Sequence, residues 1–150
     1  YLRTIRGVKI YNDNNATTPN ATVAGLRALR EVGSRKYELG IRPKNIILIC
    51  GGTDKGLDMF QLIAEIPKHC KTVILLRETG TDKIKERIRN YELGIMKKEK
   101  ETLQECVNEA IKIAGRGDIV LFSPAFASFG KWFKNEYDRG EQFVKIVNAL

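Results

Sequence analysis

Apolar positions along the chain change rhythm repeatedly, and each change predicts an element. Residues 1–11 alternate around Gly7, with Val8-Lys9-Ile10-Tyr11 after it, which predicts two short strands joined by a turn. Val23, Leu26, Leu29 and Val32 then recur at helical spacing. Thr18-Pro19 in front of them reads as an N-cap and first helical residue, and Gly33 reads as the stop. Ile46-Ile47-Leu48-Ile49-Cys50 is apolar without a break, the pattern of a strand covered on both faces. Residues 72–76 and 119–122 repeat that pattern. Between and after these runs lie four helical stripes. They are Phe60, Ile63 and Ala64; Ile84, Ile88 and Tyr91; Leu103, Val107, Ala110, Ile111 and Ala114, closed by Gly115; and Phe143, Ile146, Val147 and Leu150.

Strands that alternate with helices predict right-handed crossovers. The expected fold is therefore α/β and Rossmann-like: a mostly parallel sheet, helices on both faces, and a short N-terminal hairpin. A length of 150 residues suits one domain, with no repeat, linker or low-complexity segment. No apolar run approaches the ~18 residues of a membrane span. No signal peptide is visible, and an opening Tyr1 in place of Met reads as a cut or processed end.

In a sheet of this kind ligands sit beyond the carboxyl ends of the strands. The loops that follow strands are therefore the places to look for chemistry. Residues 12–18, NDNNATT, are almost wholly polar and stand where a strand hands over to a helix. Residues 51–56 and 123–130 are the other two candidates, and all three are expected on one rim. Gly51-Gly52 can bring backbone N–H groups to an anion, with Lys55 adding charge and a helix N-terminus behind it, or can form a tight turn only. The ending of a phosphate-binding P-loop is missing, because Lys55 is followed by Gly56-Leu57. Thr18 as the cap leaves Thr17 to face the crevice. Asp13 can accept from sugar hydroxyls or close a turn on its own backbone. Phe126, Phe129, Trp132 and Phe133 read as packing residues.

The charge of +8, from 26 Lys plus Arg against 18 Asp plus Glu, allows an anionic partner. Its densest stretch, residues 83–100, is interleaved with glutamates and reads as a solvated charged face, and no RNP, zinc-finger or KH signature is present. Cys50, Cys70 and Cys106 lack CxxC spacing and read as reduced thiols of a cytoplasmic protein, Cys50 and Cys106 buried. The single histidine, His69, stands in a Lys-His-Cys connector away from the polar loops. No loop offers paired carboxylates, a metal cluster or a Ser-His-Asp set. One lysine, several hydroxyls and backbone donors suit holding a small carboxylate-bearing molecule.

Three segments carry a family resemblance: YNDNNATTPNAT at 11–22, GGTDKGLD at 51–58 and SPAFASFGKWFKNEYDRGEQF at 123–143. In this order and at these separations they resemble the C-terminal, amino-acid-binding domain of the Mur ligases. The likeness covers essentially all of residues 1–150, read as one domain of a longer chain. Within that family it leans to the branch that adds D-glutamate to UDP-N-acetylmuramoyl-L-alanine in peptidoglycan synthesis. The resemblance implies that ATP with Mg2+, bound mainly by other domains, converts the alanine carboxylate to an acyl phosphate, which the amine of D-glutamate attacks. By motif position, Lys55 pairs with a glutamate carboxylate, and Thr17 and Ser128 hydrogen-bond carboxylate oxygens beside the backbone N–H of Phe129. Asp13 takes the ribose hydroxyls of ATP. No catalytic group and no metal ligand is implied here, nor a nucleic-acid or membrane partner, and the expected state is a monomer.

Departures from the family pattern bear on specificity. Asn15 stands where many members have lysine. Glu136 stands where an aromatic commonly follows the FKN element, with Tyr137 and Trp132 as its possible replacements. One extra residue lies between Ser128 and Phe133. Two other readings therefore stay open: a related amide ligase domain for another amino acid, and a stand-alone module for a small anion or nucleic acid.

Overall fold

The computed structural model describes residues 1–32, 44–89 and 95–150. The predicted hairpin is present as β1 (Arg3–Ile5) and β2 (Val8–Asn12). Both turn residues, Arg6 and Gly7, have positive φ (50° and 82°). This turn type twists as paired strands do. The chain continues through α1 (Pro19–Val32), β3 (Ile46–Cys50), α2 (Phe60–His69), β4 (Cys70–Leu76) and α3 (Thr79–Arg89). It ends with β5 (Met96–Lys100), α4 (Leu103–Ile113), β6 (Ile119–Phe122) and α5 (Glu136–Asn148). The sheet order is β1-β2-β6-β3-β4-β5, with every neighbouring pair parallel except β1 and β2. This is the expected α/β architecture.

The alternation of side chains along the strands divides the core into two layers. Leu48, Val73, Leu75 and Leu121 face α1, α2 and α3, whereas Ile49, Ile74, Val120 and Phe122 face α4 and α5. β3 and β6 are buried along their whole length, as unbroken apolar runs require. Phe122 stacks on Phe143 with ring centroids 4.5 Å apart, which seats α5 against β6.

Some expectations are corrected. β5 (Met-Lys-Lys-Glu-Lys) has no apolar pattern, yet it pairs with β4 from Thr72↔Met96 to Leu76↔Lys100. It is an edge strand whose faces are closed by charge. Lys98 and Lys100 reach Glu109 of α4 at 2.7 and 3.2 Å, and Lys97 donates to the Lys85 carbonyl of α3. Phe60 does not point inward: it opens α2 at 65% exposure, and Leu62, Ile63 and Ile66 carry the helix's aliphatic contact with the core. Leu150 lies past the end of α5 and is exposed. His69 is the last residue of α2 and is buried. All three cysteines are buried and free, and burial pushes the Cys50 thiol up to about 12. Gly33, Tyr91 and the side chain of Val32 lie outside the described residues.

One buried cation ties this framework to its loops. Asn135 caps α5 by accepting the Asp138 N–H at 2.9 Å. Arg139, in the next turn, is fully buried. Its Nε donates to Asn14 Oδ1 (2.7 Å), Nη2 to the Asn14 carbonyl (3.0 Å) and Nη1 to the Phe126 carbonyl (3.2 Å). Asn14 Nδ2 in turn donates to the Glu136 carbonyl at 2.6 Å. Loss of water around the guanidinium lowers its pKa to about 10, with Glu136 acting in the opposite direction.

Two stability predictions follow from these contacts. Arg139→Met leaves Asn14 and two carbonyls without donors. At ~1–3 kcal/mol for each unpaired group, a loss of about 3 kcal/mol is expected in urea unfolding, and a loss under ~0.5 kcal/mol would show the clamp to be dispensable. The second concerns Glu65 on α2. It accepts from Arg27, from Lys68 at 2.8 Å and stands 2.9 Å from His69 Nε2. These bonds, Arg27 first, lower its pKa from 4.5 to about 2. The folded state therefore keeps Glu65 ionised where the unfolded chain takes up a proton. That stabilisation is complete above pH 4.5 and disappears as the pH falls through about 2. Glu65→Gln is expected to flatten the loss of stability over that window, measured as urea midpoints against pH.

Candidate functional site

The loops after β2, β6 and β3 leave adjacent strands at the same, carboxyl, edge of the sheet. Backbone hydrogen bonds join them. Ala125 N–H donates to the Ala16 carbonyl (2.8 Å), Gly51 N–H to the Pro124 carbonyl (3.0 Å), and Thr53 and Ala127 exchange a pair at 3.1 Å. The Thr53 hydroxyl also donates to the Phe129 carbonyl. Ala125 holds φ at 64°, a conformation that residues with a Cβ adopt rarely and at a cost of about 1–2 kcal/mol. Gly51 and Gly52 have φ of 131° and 151°, and a Cβ on them would strike the Leu76 and Ala127 carbonyl oxygens. The glycine pair therefore serves a close crossing of chains. The Gly51 N–H is taken by Pro124 and is not offered to an anion.

Where the three loops meet there is a cavity of about 380 Å³, lined by Asn15, Thr17, Lys55, Ala127, Ser128, Phe129, Glu136 and Tyr137. Its size falls within the ~300–1,000 Å³ usual for small-molecule pockets. Thr17, Lys55, Ser128 and Phe129, singled out from three separate stretches of sequence, are all in its wall. Thr18 accepts the Ala21 N–H at 3.3 Å as a cap, and Thr17 is left to the cavity. Ser128 is buried, whereas the Phe129 ring is largely exposed.

Lys55 is exposed, and among the described residues its ammonium has no ion-pair partner. Its neighbours are anchored to α3. Asp54 N–H donates to Thr79 Oγ1 (3.0 Å), and the Asp54 carboxylate accepts from Gly56 N–H (3.0 Å) and Lys83 Nζ (3.3 Å). The helix expected behind Lys55 starts only at Phe60, and no residue of it lines the cavity.

Asp13 lies apart from the other four. It lines a notch of about 180 Å³ with Asn12, Asn14 and Asn15, of which Asn15 also borders the larger cavity. Its carboxylate accepts the Ser123 hydroxyl at 2.8 Å. Burial raises its pKa, and the bond from Ser123 acts against that rise. The local turn is closed by Asn12, which accepts the Asn14 N–H at 3.1 Å, so Asp13 is not used for it.

Sequence reasoning assigned no role to Arg139 or Asn14, which hold the site together, and left Tyr137 and Trp132 as alternatives. Tyr137 is in the cavity wall, while Trp132 borders a different groove with Leu103 and Ile146. A signal for Arg139 was available. With Phe143 and Val147 it falls at i, i+4 and i+8, the buried stripe of α5.

Among the described residues no three of His, Cys, Asp and Glu are grouped as metal ligands. Among the described residues no helix is long and apolar enough to cross a membrane. In the basic stretch, Lys83, Lys85, Lys98 and Lys100 are each engaged with a carboxylate.

Comparisons with known proteins agree with the geometry. Residues 1–126 match the family described as Mur ligase, glutamate ligase domain. The chain is 40% identical over 156 residues to the UDP-N-acetylmuramoylalanine--D-glutamate ligase of Borreliella burgdorferi (strain ZS7), covering 100% of this chain and 30% of that protein. It is 40% identical over 153 residues to the protein of the same name from Clostridium botulinum (strain Alaska E43 / Type E3), covering 99% and 30%. The chain thus spans about 30% of the length of these relatives. In fold it is similar to a domain from a putative UDP-N-acetylmuramate:L-alanyl-gamma-D-glutamyl-medo-diaminopimelate ligase of Haemophilus ducreyi 35000HP. The TM-score is 0.62 at 15% identity, covering 98% of this chain and 94% of the other. With the matched family spanning most of its length and the three loops meeting in one cavity, the chain belongs to the Mur ligase, glutamate ligase domain family.

Proposed function

We propose that this chain is the C-terminal, amino-acid-binding domain of a cytoplasmic ATP-dependent amide ligase. In this reading its cavity holds D-glutamate for joining to UDP-N-acetylmuramoyl-L-alanine in peptidoglycan synthesis. The observation that carries the reading is the meeting of Lys55, Thr17, Ser128 and Phe129 in one cavity. Lys55 supplies the positive charge for a carboxylate. The Thr17 and Ser128 hydroxyls and the Phe129 N–H supply neutral donors around it. The names of the relatives at 40% identity point to the same amino acid.

The role of such a domain is positioning. Holding an amine in line with an activated carboxyl can by itself lower a barrier by about 7–11 kcal/mol. The described residues fit a nucleotide only in part. The Asp13 notch, with three asparagines, suits the hydroxyls of a ribose, and nothing grouped there suits Mg2+. ATP, when bound, supplies the phosphoryl group that activates the acceptor carboxylate, and we assign that chemistry to the rest of the ligase. The domain alone is then inactive, and is taken as a monomer without a nucleic-acid or membrane partner.

One observation favours a second reading, a related ligase domain for another amino acid: the carboxylate residue Glu136 borders the cavity. The test is a titration of the isotope-labelled chain with D-glutamate, L-glutamate, D-aspartate and meso-diaminopimelate. D-Glutamate is expected to give the largest shifts at the amides of Thr17, Lys55, Ser128 and Phe129. Lys55→Met is expected to weaken it about tenfold or more, the loss of one charge-assisted contact. Larger shifts with another amino acid would favour the second reading. No shift with any of them would overturn both.

A further inference from the structure

We infer that Glu136 is a specificity residue whose carboxylate receives the amino group of the ligand held through its own carboxylate by Lys55, Thr17 and Ser128. This rests on the reading of the cavity as an amino-acid site. Two observations lead to it. Glu136 and Lys55, of opposite charge, line the same cavity of about 380 Å³. Among the described residues they do not pair with each other and neither is in a close salt bridge; Glu136 feels the charge of Arg139, whose hydrogen bonds are all spent on Asn14 and Phe126. A cation and an anion left apart across a small cavity match a molecule that carries both signs. A cavity with Lys55 alone would favour a plain dicarboxylate, because an ammonium taken from water beside it would have no counter-charge.

The position of Glu136 in the fold supports the assignment. It is the first residue of α5, and its own carbonyl is fixed by Asn14 Nδ2 at 2.6 Å. Asn14 is fixed in turn by Arg139. The backbone that carries the carboxylate is therefore set by the same clamp that joins the loops. Glu136 is only half-buried, so its side chain can reach a ligand while the backbone stays in place. Discrimination for the amino group, from the first residue of α5, is thus separable from the grip on the carboxylate, which comes from the loops after β2, β3 and β6.

The experiment compares D-glutamate with glutarate, which has the same two carboxylates and no amine. Both are titrated into the labelled 150-residue chain and followed at the Ser128 and Phe129 amides. The unsubstituted chain is expected to prefer D-glutamate by about tenfold or more, the worth of one charge-assisted pair. In Glu136→Gln the two ligands should come within about twofold of each other, mainly through loss of D-glutamate affinity. Glu136→Asp, which keeps the charge, should retain part of the preference. An unchanged ratio in Glu136→Gln, or equal weakening of both ligands as a purely structural role would give, overturns the inference and leaves the amino-acid site standing. If neither ligand moves the amides of the unsubstituted chain, the amino-acid site itself is overturned, and the assignment of Glu136 with it.

Discussion

A buried guanidinium whose hydrogen bonds go to neutral oxygens rather than to a carboxylate joins the loops at this molecule's carboxyl edge. Arg139 is fully buried, and its three hydrogen bonds end on neutral oxygens: the side chain and carbonyl of Asn14 and the carbonyl of Phe126. Removing a charge from water is unfavourable unless every donor is matched, and its lowered pKa is the mark of that tension. What the arrangement achieves is connection. Asn14 lies in the loop after β2, Phe126 in the loop after β6, and Arg139 in α5, segments more than a hundred residues apart in the chain at their widest. Without that bond set the parallel sheet would still form from its apolar strands, but the relation of Thr17 to Ser128 would be left to backbone bonds such as that from Ala125 N–H to the Ala16 carbonyl.

Much of the fold can be read from the chain because its central strands are buried on both faces. Ile46–Cys50 and Ile119–Phe122 have no polar position to confuse them with helix, and the polar segments after them had to lie at one edge once the sheet was parallel. That the loops bearing Thr17, Lys55 and Ser128 would meet at one edge was legible for the same reason, whereas Phe129 was singled out only through the family resemblance. What was not legible is what is stabilised by pairing rather than by burial of apolar surface. β5 presents Lys97-Lys98-Glu99-Lys100, and it is its ladder with β4, together with partners such as Glu109 for its lysines and Arg77 for Glu99, that explains why it is a strand. Phe60 was misplaced because a single aromatic at a helix start has no periodicity of its own.

The glycines of the second loop show how two readings of one motif are separated by geometry. Gly51-Gly52 beside Lys55 has the composition of an anion cradle. The Gly51 N–H, however, is bonded to Pro124, and a Cβ at either position would strike a carbonyl. Their smallness admits the neighbouring chain rather than a phosphate. The positive charge this loop offers the cavity is that of Lys55 itself, on a segment braced by Asp54 and Lys83. Asp13, by contrast, sits in a notch formed by the first loop, so two recesses share Asn15 as a common border.

The staples between the loops have a consequence for recognition kinetics. The walls of the cavity are joined by Thr53 with Ala127, Ala16 with Ala125 and Gly51 with Pro124, and these bonds form when the chain folds. The backbone share of the receptor's conformational entropy is thus already surrendered before any molecule arrives. An incoming ligand forfeits its own tumbling and its few rotors, together with the freedom of side chains such as the exposed Lys55. Residence time, rather than rearrangement of the walls, becomes the quantity that separates one guest from another.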